Sequence, residues 1–524
     1  MEKTIWKTVL AVCCAWIAAT GAWAQLYDNY KPDNKKVVLD ETNLPIVFIE
    51  VDGQMIDRYE RITARMKIIH NGAEQLNYAD TLAHPDQHVD YEGYVALRYR
   101  GNSSFNNSKK KPYSFHTLGR PLEEGGVKQK TKILGMSKDN KWALLAPYSD
   151  KSLMRDMLAF ELARPWMEYV PDGRFCELVL DGTYYGVYVL TEVVSKGKKR
   201  LNLPDPGETG DSLTGGYLME VDRDEGINYT SKYHPVTNSG QSISWLYVHY
   251  QYKWPDYEDL ANKQVAYIKK AIDKMEKSFS SLSYKNPETG YRKYIDVRSF
   301  IDYQLATEFG HNVDGYRLSS KFYKRTDSID SRFKLTLWDM NLAYGNADYY
   351  EGWRTDTWIY RNNNNLYYAG DPQLPPFWWY KLNQDANYLD EVKERWAQYR
   401  NANFRSDRLE ATIDSMVTLL NVNGAQQRNS QAWQLWGKYV WPNKYVAPDY
   451  ESEIAYLKDW VEKRIAWMDK QLGYDPAAIA VVADASPNRR VVGYYTLDGQ
   501  AIASPKRGIY IVRYSDGTAR KMAF

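Results

Sequence analysis

The sequence predicts an α+β fold, with a strand-rich first half, a helix-rich second half and a small β-unit at the C-terminus. Three observations carry that expectation. Between Leu44 and Leu190 the apolar residues come in short runs, several of them ending at Gly-containing turn pairs. Beyond Tyr257 apolar residues recur at helical spacing over long stretches. After Tyr474 the composition shifts to Pro, Ala and Ser before short β-like runs return.

The chain opens with a short basic segment ending at Lys7, then a mostly apolar run from Thr8 to Gly21, then Ala22, Trp23 and Ala24. Basic, apolar and small-x-small, in that order, is what a signal peptidase reads, so residues 1–24 are expected to be a signal peptide. The alternative is an uncleaved anchor, but the run is short for a bilayer span. Cys13 and Cys14 follow only a partial match to a lipid-attachment site. Past Ala24 no run approaches the roughly 20 apolar residues of a membrane helix. The expected location is therefore outside the cytoplasm, secreted or at the cell surface. Of three cysteines only Cys176 lies beyond this segment, so no intramolecular disulfide is expected and a large core must hold residues 25–474 together.

Strands are expected at Pro45 to Val51, Ala64 to Ile69 and Gly93 to Tyr99, with Asp52-Gly53 and Asn71-Gly72 as turns after the first two. Others follow at Tyr113 to Thr117, Trp142 to Leu145, Phe175 to Leu180 and Gly186 to Leu190, the last two joined by an Asp181-Gly182 hairpin turn. One helix interrupts them, capped by Ser152 and stopped by Pro165. Helices are then expected over 257–282, 297–311, 386–400, 407–421 and 451–472. Thr336 to Asp339 reads as a buried strand ending in a carboxylate.

Residues 475–490 read as a linker and 491–524 as a separate β-unit, from Val491 to Thr496 through a turn to Gly508-Ile-Tyr-Ile-Val-Arg513 and a final basic strand. This segment resembles the C-terminal sorting domain of the type IX secretion system. The resemblance implies passage across an outer membrane through a secretion machinery; the plainer reading is a small packing domain.

A formal charge of +2 argues against a nucleic-acid partner, whose binding rests on accumulated positive charge. The 45 Tyr and 18 Trp allow stacking on sugars or bases, or packing.

Two constellations carry chemistry. Arg100-Gly-Asn-Ser-Ser104 with Lys109, Lys110 and Lys111 offers backbone amides and charge to an anion; alone it also fits a solvated basic turn. Asp314 lies in Asn312-Val-Asp-Gly-Tyr316, and twenty-five positions later Asp339 lies in Trp338-Asp-Met-Asn341. A carboxylate after an apolar strand suits a hard cation, and a second on a loop suits deprotonating a hydroxyl, which is the pair phosphoryl transfer needs. Both also fit turn-capping carboxylates.

These segments, with Lys141-Trp-Ala-Leu-Leu-Ala-Pro-Tyr148, Lys151-Ser-Leu-Met-Arg-Asp156, Leu180-Asp-Gly-Thr-Tyr-Tyr-Gly-Val-Tyr-Val-Leu-Thr-Glu192 and Gly215-Gly-Tyr-Leu-Met-Glu220, resemble the CotH kinase family in order across roughly residues 44–470. The resemblance implies an atypical protein-kinase-like fold, ATP with Mg or Mn, and transfer of phosphate to Ser or Thr of an exported protein substrate. By the same resemblance Asp314 is the catalytic carboxylate and Asp339 the metal ligand. Asn341 stands where many family members carry Asp, keeping an oxygen but losing a charge. Lys111, with Lys110 adjacent, is the implied phosphate-contacting lysine; Glu161 would pair with it, and Glu192 would lie near the adenine. His311, beside this loop, is a further candidate base, but an unaided His is more often structural and kinases use Asp here. Two other readings stand beside it. One is an inactive kinase-like scaffold whose Trp353, Trp358, Trp378 and Trp379 contact glycans or proteins. The other is a metal-dependent hydrolase.

Overall fold

A computed structural model describes residues 30–73, 75–476, 491–496, 500–505, 509–514 and 519–523. The expected signal peptide, residues 1–24, and most of the expected linker lie outside these. The chain divides after Met468 into two compact units.

In the first unit seven strands close into a barrel: β1 (Ile46–Glu50), β2 (Ile62–Ile69), β3 (Val89–Tyr99), β4 (Tyr113–Leu118), β5 (Lys141–Leu145), β6 (Gly173–Leu180) and β7 (Thr183–Glu192). The order is β1-β2-β3-β4-β5-β7-β6, and β6 closes onto β1 in parallel, Ile46 opposite Glu177. Closure leaves no free edge. Val95, Leu97, Phe115, Trp142, Leu178 and Leu190 fill it with other buried residues. The β6–β7 turn is the expected one, with Asp181 and Gly182 both at positive φ (44° and 71°), the geometry of a two-residue hairpin.

The helix after β5 is α1 (Arg155–Ala163). Its N-cap residue is Met154, not Ser152; Asp150 Oδ2 accepts from Arg155 N at 2.8 Å, and Ser152 Oγ donates to Asp150 Oδ1 at 2.6 Å. Arg155 is fully buried and pairs with Asp150 (2.6 Å) and with Glu453 (2.8 Å). Such a pairing tolerates no loss of one partner, since the remaining charge would stay buried.

The second half is less helical than the sequence predicts. A five-stranded antiparallel sheet is assembled from β8 (Tyr217–Asp222), β9 (Asn228–Thr230), β10 (His249–Trp254), β11 (Ser320–Lys324) and β12 (Phe333–Thr336), in the order β9-β10-β8-β11-β12. The helices of this half include α2 (Asn262–Ser280), α3 (Val297–Gly310), α4 (Ala386–Arg400), α5 (Ser406–Asn421), α6 (Ala425–Trp433) and α7 (Tyr450–Leu472). The strand expected over 336–339 ends at Thr336, three residues before Asp339. Helix α6 was hidden by its polar sequence; its buried Ala425, Asn429, Ala432 and Trp433 recur at helical spacing. It packs on β7 at Gly186, where a Cβ would lie 2.4 Å from Asn429 Oδ1.

The second unit holds a four-stranded antiparallel sheet of β13 (Val491–Tyr495), β14 (Ala501–Ile502), β15 (Ile509–Tyr514) and β16 (Ala519–Ala523), in the order β14-β13-β15-β16.

Candidate functional site

Asp314 is presented by the turn that follows α3. Asp296 caps the start of that helix by accepting from Ser299 N at 3.0 Å, and His311 ends it in the left-handed region at φ 47°. The next residues curl back: Leu318 N donates to Asp314 O at 3.0 Å. Arg317 holds Asp314 Oδ1 at 2.9 Å and reaches Asp371 at 2.8 Å. Gly315 is required here, because a Cβ would come within 2.3 Å of the Thr307 methyl carbon.

Asp339 follows β12 at φ 62°, a sparsely populated conformation for a residue with a side chain, of the kind that gathers at functional sites. Asn312 joins the two loops. Its Nδ2 donates to Asp339 O at 3.0 Å, and its Oδ1 accepts from Asp314 N at 3.2 Å. Ser319 Oγ adds a contact to Asp339 Oδ2 at 3.3 Å. From α1, Asp156 Oδ1 accepts from Met340 N at 2.7 Å, so a third carboxylate is tied to the Asp339 loop.

Asp156, Asp314, Asp339 and Asn341 line one cleft of about 720 Å³, within the range of small-molecule sites. Its barrel wall is cationic, with Arg58, Arg61, Arg98, Arg100 and Lys141. Its floor is one face of the second sheet. Glu220 and Asp222, two apart on β8, share that face, and Lys321 stands directly across from Glu220 on β11. Glu220 pairs with Lys321, and with Lys253 at 2.7 Å.

Burial and the nearby Asp339 carboxylate push Asp156 up to about 7. Asp339 is also raised, by burial and by Asp314, with Arg100 opposing. Burial and Glu220 raise Asp222 to about 6. For Glu220 itself burial is outweighed by Lys321 and Lys253, which hold it down at about 2. The cleft thus sets an arginine-rich wall opposite carboxylates short of positive charge. Arg100 is within Coulombic reach of Asp339, Asp156 and Glu220 and lies over the Trp338 ring at 5.1 Å.

This donor set fits a hard divalent cation. Among the described residues no three His, Cys, Asp or Glu side chains stand in a preformed metal cage. Mg²⁺ needs none, since it binds through one or two carboxylates together with waters and phosphates. Asp156, raised in part by the Asp339 carboxylate beside it, and Asp339 are the pair a cation would relieve.

Four residues expected at a nucleotide do not line this cleft. Lys110 is buried against β7 and α6, donating to Val187 O and to Asn429 Oδ1 at 2.8 Å. Lys111 donates to Phe105 O and sits over the Tyr30 and Phe105 rings. Glu161 pairs with Arg164 at 3.0 Å, not with either lysine. Glu192 accepts from Ser137 and from Tyr169 at 3.0 Å, and it lines a different cleft. His311 is buried, contacts Thr357 Oγ1 at 3.0 Å and is driven well below its usual range by burial and Arg464. Of the four tryptophans, Trp378 and Trp379 are core residues, 2% and 1% exposed, and cannot form a contact surface.

Asp156, Glu220, Asp222, Lys253 and Lys321 were not singled out as site residues from the sequence. The Glu220, Asp222 spacing places both on one strand face, but only sheet register shows what that face meets.

Residues 97–468 match the family model described as CotH kinase protein. No curated protein matches the chain.

Proposed function

Because the chain belongs to the CotH kinase family, we propose that it is an exported kinase. It transfers the γ-phosphoryl group of ATP to a Ser or Thr hydroxyl of another exported protein, with Mg²⁺ or Mn²⁺ bound. The observation that carries this reading is the Asn312 bridge, which holds Asp314 and Asp339 in one cleft opposite Arg100. Phosphoryl transfer asks little of the protein beyond positioning and charge neutralisation, and the cleft supplies groups for both.

Arg317 occupies Asp314 Oδ1. Oδ2 is left to take the proton of the acceptor hydroxyl as its oxygen bonds to phosphorus and the bond to the nucleoside diphosphate breaks. Asp339, with Asn341 and Asp156, would hold the metal, which when bound neutralises phosphate charge. Asn341 supplies an oxygen without a charge, so metal affinity should be lower than with Asp at this position. Arg100 is the group placed to meet the phosphates. The kinase-like character of the fold and the sorting role of residues 491–524 belong to the same reading. Removing residues 491–524 should strand the protein inside the outer membrane, and unchanged export would refute that role.

The test is transfer of labelled γ-phosphate to proteins exported by the same cell. Asp314→Ala and Asp339→Ala should each abolish it in folded protein, the fold being checked by circular dichroism. Full activity in either variant would overturn the assignment.

A further inference from the structure

A second cleft, of about 650 Å³, opens beside the first, and its walls carry an excess of positive charge. Lys130, Lys132 and Lys138 come from the segment leading into β5, and Lys198 and Lys199 from the turn after β7. All five are exposed. Among the described residues none of their side chains has a hydrogen-bond or ion-pair partner. The acids of the cleft are already matched. Glu168 pairs with Arg325 and with Lys334 at 3.1 Å, and Asp172 with Arg174 at 2.6 Å. Glu192 is taken up by Ser137, Tyr169 and the backbone of Asp172, with Arg200 at 3.7 Å. Five positive charges therefore stand without counter-charge in one concavity of a chain whose net charge is only +2.

The frame beneath them is fixed. Thr131 and Asp139 exchange two backbone hydrogen bonds of 3.0 Å, and Gly197 N donates to Leu201 O at 2.9 Å. Met136, Met167 and Val170 give the floor an apolar strip. The cations that project freely are all lysines. Lysine is a mobile point charge, whereas a planar arginine fork is the better match to one fixed phosphate. Lysines spread over two rigid loops above an apolar strip suit carboxylates at varied spacing along a chain.

We propose that this cleft binds an acidic, extended peptide segment with apolar side chains, and that the segment belongs to the protein substrate. The two clefts share their framework. Glu192 lines the basic cleft and Val193 the first; Lys138 lines the basic cleft and Lys141 the first. A peptide held at the lysines is thereby brought beside the carboxylate site. The link to a substrate rests on the kinase reading, but binding itself does not, so the assay contains neither nucleotide nor metal.

Fluorescence anisotropy of labelled decaglutamate, titrated with the full chain at low salt, measures it. The native protein should bind, with affinity falling about tenfold or more as salt rises to 0.5 M, because exposed charges are screened. Lys132→Glu with Lys198→Glu should weaken binding at least tenfold. Lys263→Glu with Lys270→Glu, the same charge change on the exposed side of α2, should leave it unchanged. Absence of binding by the native chain, or equal loss in both double variants, would overturn the proposal. Tighter binding to phosphatidylglycerol vesicles than to the peptide, abolished by the Lys132 and Lys198 changes, would reassign the cleft to a membrane surface. Loss of ATP binding in Asp339→Asn tests the kinase reading separately.

Discussion

Asn312 uses both ends of its amide on the carboxylate loops, donating to Asp339 O and accepting from Asp314 N. Asn312→Ala should cost about 1–3 kcal/mol of stability, the usual penalty for orphaned buried groups. It should lower phosphotransfer by at least tenfold while the protein stays folded, as checked by activity alongside thermal melting. Arg100 and Lys111 make the second contrast at this scale. Arg100→Ala should weaken ATP binding, whereas Lys111→Ala should leave it unchanged, because Lys111 is engaged with Phe105 and Tyr30. Titration of both variants with ATP decides between them. The loops that carry the two aspartates were legible in the sequence because each is a short polar stretch beside an apolar element. Lys110 and Lys111 misled because sequence spacing does not reveal where a long stem ends. Lys110 runs to Asn429, over three hundred residues away in the chain.

At the scale of elements, the second sheet and α2 decide how stability depends on pH. Glu276 on α2 is buried, accepts from Ser231 (2.8 Å) and Tyr250 (2.6 Å), and is pushed up to about 7 mainly by burial. Its folded value lies above the unfolded one, so its stabilisation is complete below the unfolded value near 4.5. That stabilisation is lost as pH rises through 7. The loss is about 3 kcal/mol. Glu276→Gln should flatten the fall in stability between pH 5 and 7, read from urea unfolding at several pH values. A slope equal to that of the native chain would show that Glu276 titrates as it does in the unfolded chain. The helices expected over 297–311 and 386–400 match α3 and α4 closely, since long apolar periodicity is a strong signal. Strands β8 to β12 were not foreseen as a sheet, because their pairing joins segments about a hundred residues apart, as in Glu220 with Lys321.

At the scale of the whole molecule, the barrel supplies the cationic wall, the second sheet the floor and the α3 and β12 loops the carboxylates. Packing of α6 on β7 couples the barrel to the helical half. Gly186→Ala would bring a Cβ to 2.4 Å from Asn429 Oδ1 at a φ of 93°. It should destabilise the protein by roughly 2–4 kcal/mol, combining strain with a clash. A melt unchanged from that of the native chain would contradict this packing. The strand-rich start was readable from turn pairs and alternation, but closure of the barrel through the parallel β1–β6 pair was not, since nothing local encodes it.

The central claim, that Asp339 meets a metal–nucleotide complex in the first cleft, is tested most directly by calorimetric titration of the folded chain with ATP and Mg²⁺ or Mn²⁺. The native chain and Asp339→Asn are compared, each with and without metal. Metal-dependent binding by the native chain, weakened by the substitution, is the predicted result. Binding that ignores the metal or the substitution, or no binding at all by the folded native chain, would contradict it.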